Sequence, residues 1–247
     1  MRPKEVVKPF LHVPAAAAVA AATATLTILL TTRAGAQPPT SDERSYLQQR
    51  VPSRSQAFEL TAATGYAQGF GTLQPGVGMP QVAHAGVGVH ASAGYRIDPR
   101  YAVSLGGEYQ QLEAERDDAV RGFALDLALQ YHLAPAVRVD PWLEIGSGYR
   151  MLWLVPIGPA PTVFLHGPEL VRLRAGVDLR VSADVAVAPV IGVDATMFVF
   201  RDERSLSTIP DPKLSTFVFA GLQGRIDVGG YRAGSTLAGR STVNDVP

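Results

Sequence analysis

His90 and Ser92 are the pair in this sequence best spaced for nucleophilic chemistry. Residues two apart on an extended strand project from one face, so an imidazole there can take the proton of a neighbouring hydroxyl. Glu108, on the next extended stretch, is a candidate to orient the imidazole. Both residues sit among Gly86, Gly88 and Gly94, however, and that setting suits a polar cluster in a confined interior better than a catalytic pair. The histidines His84, His132 and His166 have no second and third ligand at metal-binding spacing, so neither a metal nor a cofactor is expected. Glu113, Glu115, Asp117 and Asp118 surround Arg116 as a solvated hairpin tip, with calcium or surface lipopolysaccharide as conceivable contacts. Gly65-x-x-x-Gly69 and Gly86-x-Gly88 lie within extended stretches and not at strand-to-helix turns, so they form no nucleotide fingerprint. No constellation here specifies an enzyme.

The elements that carry these residues are strands of unusual length. In residues 121–133, Phe123, Leu125, Leu127, Leu129, Tyr131 and Leu133 share one face, and Gly122, Ala124, Asp126, Ala128, Gln130 and His132 share the other. Residues 86–97 and 170–182 alternate in the same way. Extending the count predicts eight strands near 57–70, 85–97, 101–112, 121–133, 141–155, 169–182, 185–199 and 214–228. The connections after strands two, four and six (98–100, 134–140, 183–184) are short, whereas those after one, three, five and seven (71–84, 113–120, 156–168, 200–213) are longer and rich in Gly, Pro or charge. An even strand number with short turns at one end and long loops at the other predicts an all-β, eight-stranded antiparallel up-and-down transmembrane β-barrel.

What precedes the strands fits delivery to an envelope. Arg2, Lys4 and Lys8 are followed by an uncharged stretch from Ala15 to Thr31 and by Ala34-Gly35-Ala36, the grammar of a cleavable signal peptide. The sequence divides into a signal peptide over 1–36, a flexible periplasmic lead-in over 37–56, the barrel over 57–228 and a flexible tail over 229–247. The chain has 247 residues and no cysteine, which excludes a disulfide framework, thiolate metal sites and a lipidated N-terminal cysteine. Removing the leader's four basic and one acidic residue from the 22 of each leaves 18 basic and 21 acidic residues, a balance with no nucleic-acid footprint.

The two strand faces differ chemically. Phe58, Tyr95, Tyr101, Tyr131 and Trp142 lie near one end, and Tyr66, Phe70, Tyr109, Phe123, Tyr149, Trp153, Phe198 and Phe200 near the other, a distribution that predicts two aromatic girdles at membrane interfaces. Trp142 and Phe198 have the opposite parity to the rest. The polar face carries Glu59, Glu108, Asp126, Glu144, Asp178, Asp194 and Asp227 with Arg96, Arg150, Arg172, Arg174, Arg180 and Arg225. Eight strands enclose room for side chains only, so these charges are expected to form a lumenal ion-pair network. Asp178 should stand among Arg172, Arg174 and Arg180, with Glu144 and Asp194 reaching them from the flanking strands. A soluble β-sandwich or a lipocalin-like binder is the alternative that alternation alone leaves open.

Over residues 57–228 the chain resembles the small outer-membrane β-barrel superfamily of OmpA-like and OmpX-like proteins. The resemblance implies a non-enzymatic integral outer-membrane protein that contributes to envelope structure or surface interaction through its loops, or a narrow porin-like channel. Its implied partners are outer-membrane lipid, lipopolysaccharide and the outer-membrane assembly machinery. The His-x-Ser at 90–92 resembles that of lipid A deacylases, but in that family the pair faces lipid and here its parity is inward. The last strand ends Arg225-Ile226-Asp227-Val228 and continues to Pro247, where the superfamily ends on an aromatic residue.

Overall fold

The computed structural model describes residues 49–113, 119–156 and 158–232. The expected signal peptide, residues 37–48 of the lead-in, the acidic tip at 114–118 and residues 233–247 of the tail lie outside the described residues. Eight long strands make the barrel: β1 (Ala57–Gln74), β2 (Ala85–Arg96), β3 (Tyr101–Glu113), β4 (Ala119–His132), β5 (Val139–Val155), β6 (Val163–Arg180), β7 (Val185–Met197) and β8 (Leu214–Val228). Each pairs antiparallel with its sequence neighbours, and β8 pairs with β1 from Val228↔Phe58 to Ser215↔Gly71, which closes the sheet. Closure leaves no barrel strand with an open edge.

The register fixes the barrel's shape. A lateral walk leaves β1 at Phe58, passes Tyr95, Val103, Leu129, Ile145, Leu173, Val193 and Val218, and returns to β1 at Gln68, ten residues further along. That stagger requires the strands to tilt by roughly 40° from the barrel axis. Because side chains alternate, one set then fills the interior and the other covers the wall. Phe58 and Leu105 are each 64% exposed, whereas Arg96, Arg150 and Arg172 are 0% exposed.

One irregularity changes which residues point inward. In β6 the register shifts between Glu169 and Val171, and opposite it between Gly146 and Gly148 of β5, so β6 holds one extra residue. Such a bulge reverses the parity of everything N-terminal to it. Glu169 is therefore buried inside, and Phe164 and His166 sit on the outer wall. β6 begins at Val163 rather than 169, and His166 belongs to this strand, not to a loop. There Trp153, Phe164, His166 and Phe200 stack in sequence, and Tyr149 Oη lies 2.5 Å from His166 Nδ1. Trp142 and Phe198, counted among the expected girdles, are both inside the barrel.

The two mouths are covered differently. At the loop end, the connection after β1 forms a short strand (Val77–Gly78) and a single helical turn, α1 (Met79–Val82), and folds back into the mouth. Met79, Val82, Leu73 and Ala83 meet Phe198, Phe217, Ile209 and Leu152 in one apolar cluster. Gly69 permits this approach, since a Cβ there would lie 2.6 Å from the carbonyl oxygen of Ala83. At the turn end, residues 49–56 of the expected flexible lead-in are held in place. The Val51 and Ser53 amides donate to the Ala136 and Pro135 carbonyls at 3.1 and 2.8 Å, and Arg54–Ser55 pairs with Tyr231–Arg232 beyond β8.

Candidate functional site: the charged interior

Inward residues of all eight strands converge in two clusters of three arginines and four carboxylates each. The loop-side cluster lies beneath the apolar plug. Arg150 donates from Nη2 to Asp194 Oδ2 at 2.7 Å and to Glu169 Oε2 at 2.9 Å, and from Nη1 to Gln110 at 3.1 Å. Arg172 donates from Nε to Glu169 Oε1 at 2.7 Å and from Nη1 to Asp126 Oδ2 at 2.8 Å, with Asp194 Oδ1 at 3.4 Å from Nε. Arg174 crosses the lumen from β6 to Glu108 on β3. The Arg150 guanidinium also lies over the Phe217 ring, 4.3 Å from its centroid, which joins the charged layer to the plug.

The turn-side cluster is arranged around an imidazole. Arg96 pairs with Glu59 and donates to the Pro99 carbonyl at 3.0 Å, and Arg225 pairs with Asp178. Arg180 Nη2 lies 3.2 Å from Asp140 Oδ2, and Asp227 is a more distant partner of Arg225 and Arg180, at 3.7 and 3.9 Å. His132 Nε2 faces guanidinium nitrogens of Arg96 and Arg225, both at 3.2 Å, and its Nδ1 lies 2.8 Å from Asp140 Oδ2. Guanidinium groups only donate, so toward them Nε2 acts as an acceptor, which places a ring proton on Nδ1 toward Asp140; Gln130 Oε1 lies 3.1 Å from the same Nε2. The Trp142 indole donates to Asp178 Oδ1 at 3.0 Å. Burial of so many charges is tolerable because each arginine meets a carboxylate in hydrogen-bonding geometry or at ion-pair distance.

Several pairings differ from those drawn from the sequence. Asp178 meets Arg225 of β8 rather than the arginines of its own strand, since in β6 it lies near the turn end while Arg172 and Arg174 lie in the other cluster. Glu144 stands directly across the β5–β6 ladder from Arg174, yet that side chain turns to Glu108. Glu144 makes no ion pair among the described residues, and its Oε1 is buried without a hydrogen-bond partner. Asp194 does reach Arg172 and Arg150.

Two central carboxylates escaped the sequence reading. Glu169 has outward parity until the bulge is known, and Asp140 falls in what reads as a turn before Pro141 but is the second residue of β5 and fully buried.

The motifs considered for catalysis do not assemble. Ser92 Oγ lies 2.7 Å from Thr61 Oγ1, while His90 Nε2 lies 3.4 Å from Asp126 Oδ2 and Glu108 is committed to arginines. Ligand atoms of His132, Asp140 and Asp178 lie within 4.8 Å of one another, close enough to surround an ion. A cation placed there would have to displace Arg96, Arg180 and Arg225 from the same atoms. Those guanidinium groups already supply the positive charge.

Outside the barrel wall, Asp184 in the turn between β6 and β7 clasps the covering segment. Its Oδ1 accepts from Arg54 Nε and from Arg232 Nη2, both at 2.6 Å. These two hydrogen bonds hold its carboxyl down at about 2, well below the usual carboxylate range.

No protein-family model matches the chain, and no curated protein sequence is detectably similar to it. Among solved structures the chain is similar to Neisserial surface protein A, with 14% identity, 68% of this chain and 96% of that chain covered, and a TM-score of 0.49. The outer membrane protein OprG from Pseudomonas aeruginosa gives 10% identity, 75% and 100% coverage and 0.46. The outer membrane protein AlkL, solved in lipid bilayers, gives 11%, 82% and 99%, and 0.43. At these identities the likeness concerns backbone arrangement alone. The class that fold and interior define is a closed eight-stranded up-and-down barrel with an apolar outside and an ion-paired inside. A lipocalin-like binder needs the reverse, an apolar cavity within a polar wall.

Proposed function

We propose that the chain is an integral protein of a bacterial outer membrane, delivered by a cleaved signal peptide, which serves envelope structure or surface interaction through its loops and has no enzymatic role. The outer wall carries the reading. Leu60, Leu105, Leu127, Leu143, Ile145 and Ile191 are each more than half exposed and encircle the barrel. A belt of this extent in water would be an aggregation surface, whereas hydrocarbon is its natural solvent. The outer wall therefore contacts membrane lipid and, on the loop side, lipopolysaccharide, and the assembly machinery of the membrane inserts it. The near balance of acidic and basic residues gives nucleic acid no place among these partners.

The interior supports a closed barrel over a porin-like channel, since the apolar plug and two charged layers lie in series along the lumen. Membrane fractionation with gel electrophoresis before and after boiling tests the reading. The folded barrel should stay with the outer-membrane fraction and migrate faster unboiled than boiled. Recovery in the soluble fraction without detergent, or stable large-conductance channels in planar bilayers, counts against it.

A further inference from the structure

The outer wall is not uniformly convex. A groove of about 690 Å³ runs across β4, β5, β6, β7 and β8, lined almost wholly by apolar side chains. It lies between the lateral row from Leu129 to Val218 and the row Tyr131–Leu143–Ala175–Ile191–Ala220, and Glu144, Arg174, Gly192 and Phe219 of the inward row between them also border it. The small side chains of Ala175 and Ala220 leave its floor low, between larger neighbours such as Leu143 and Ile191.

The geometry of that row selects an occupant. Five strands at about 4.8 Å spacing give the row a length of roughly 19 Å. With strands tilted roughly 40°, the row climbs about 12 Å along the barrel axis, near the depth of one leaflet of a hydrocarbon core about 30 Å thick. The climb begins at Tyr131, one residue from the turn end of β4, and ends at mid-wall on β8.

At the low end stands one exposed arginine, Arg100, in a turn whose Asp98 carboxylate accepts from the Arg100 and Tyr101 amides at 2.6 and 2.9 Å. Arg100 is exposed and donates from Nη1 to Tyr131 Oη at 3.1 Å, and it makes no ion pair among the described residues. The Tyr101 ring packs against Tyr131 at 5.1 Å and continues the aromatic wall. A guanidinium fixed at the interface beside a tyrosine hydroxyl is suited to a phosphate, and the apolar row above it to a hydrocarbon chain.

We propose that this groove binds one phospholipid of the turn-side leaflet, with its phosphate on Arg100 and Tyr131 and an acyl chain lying along the row to Ala220; this rests on the membrane reading above. Native mass spectrometry of the full chain in mild detergent tests it, with phosphatidylglycerol and a diacylglycerol of the same chains as competing probes. The unmodified barrel should retain one phosphatidylglycerol with at least fivefold preference over diacylglycerol. Arg100→Gln should abolish the preference while leaving residual chain binding. Ala175→Phe, which fills the floor, should cut retention of both probes fivefold or more, with Ala220→Phe as a second variant should the first fail to fold by heat-modifiability. Val89→Ala, on β2 across the barrel from the groove's middle strand, should change nothing. Retention that ignores Arg100→Gln and both filling variants overturns the site. A protein that needs detergent yet shows no lipid preference overturns this proposal alone, whereas one that is soluble without detergent overturns the membrane reading as well.

Discussion

The loop-side and turn-side halves of the lumen solve the same problem with different materials. Each holds three arginines against four carboxylates, but the loop-side layer is roofed by Met79, Phe198 and Phe217, whereas the turn-side layer is floored by a polar segment that hydrogen-bonds to the turns. Under an apolar roof a charge that loses its partner has nowhere to turn. Near a hydrogen-bonding floor it has carbonyls, an imidazole and nearby solvent. Equal numbers of charges are thus expected to give unequal dependence on any one of them.

The largest effect should come from Glu169, whose two oxygens serve both Arg150 and Arg172. Glu169→Ala should cost about 3 to 5 kcal/mol in urea-induced unfolding from lipid vesicles. The corresponding loss on the other side is predicted to be smaller. Asp227→Ala removes only contacts at 3.7 and 3.9 Å, and Asp178 and Asp140 still serve Arg225 and Arg180, so the cost should be about 1 kcal/mol by the same measurement. Equal costs for the two variants would erase the distinction between roof and floor.

A third test addresses the floor itself. Asp184 titrates at about 2 when folded and near 4 when unfolded, so its contribution is fully present above pH 4 and is lost as pH falls toward 2. Protection factors of the Val51 and Ser53 amides, which express exchange relative to the intrinsic rate at each pH, should be high at pH 5 and lower at pH 2, with those of the plug unaffected. Asp184→Asn should make the protection lower and flat across that range. The smallest effect is expected at Glu144, which lies between the layers without an ion pair. Glu144→Gln should change stability by less than about 0.5 kcal/mol, and a large loss would mean that this carboxylate belongs to the loop-side network after all.

Alternation carried the fold, because a strand with one face to each of two solvents must repeat every second residue. It fails where the repeat is broken. The extra residue at Glu169–Val171 makes the sequence read outward for a side chain that is inward, and it hides the six residues of β6 that precede it. Asp140 is obscured for a different reason, since Pro141 signals a turn although the strand has already begun at Val139. The plug was also hidden. Met79, Val82 and Ala83 are separated by Pro80 and Gln81 in a Gly/Pro-rich connection, too short a pattern to announce a helical turn that packs into a mouth. Parity states which charges share a face, whereas the partner of each arginine depends on reach across the lumen, as for Arg174 and Glu108.

The seam between β1 and β8 has a consequence in time. Its first and last pairs join Phe58 to Val228 and Gly71 to Ser215, residues that lie at opposite ends of the barrel sequence. Every other ladder among the eight barrel strands joins consecutive strands and can zip locally. Closure therefore waits for synthesis of the final strand and carries the greatest loop-closure entropy of the eight barrel ladders. Until it occurs, the curved sheet has two adhesive edges, each able to capture a strand from another chain. A polypeptide truncated before Leu214 would keep seven of its eight strands and still be unable to finish, so the last fifteen barrel residues decide whether the first seven strands become a protein or a precipitate.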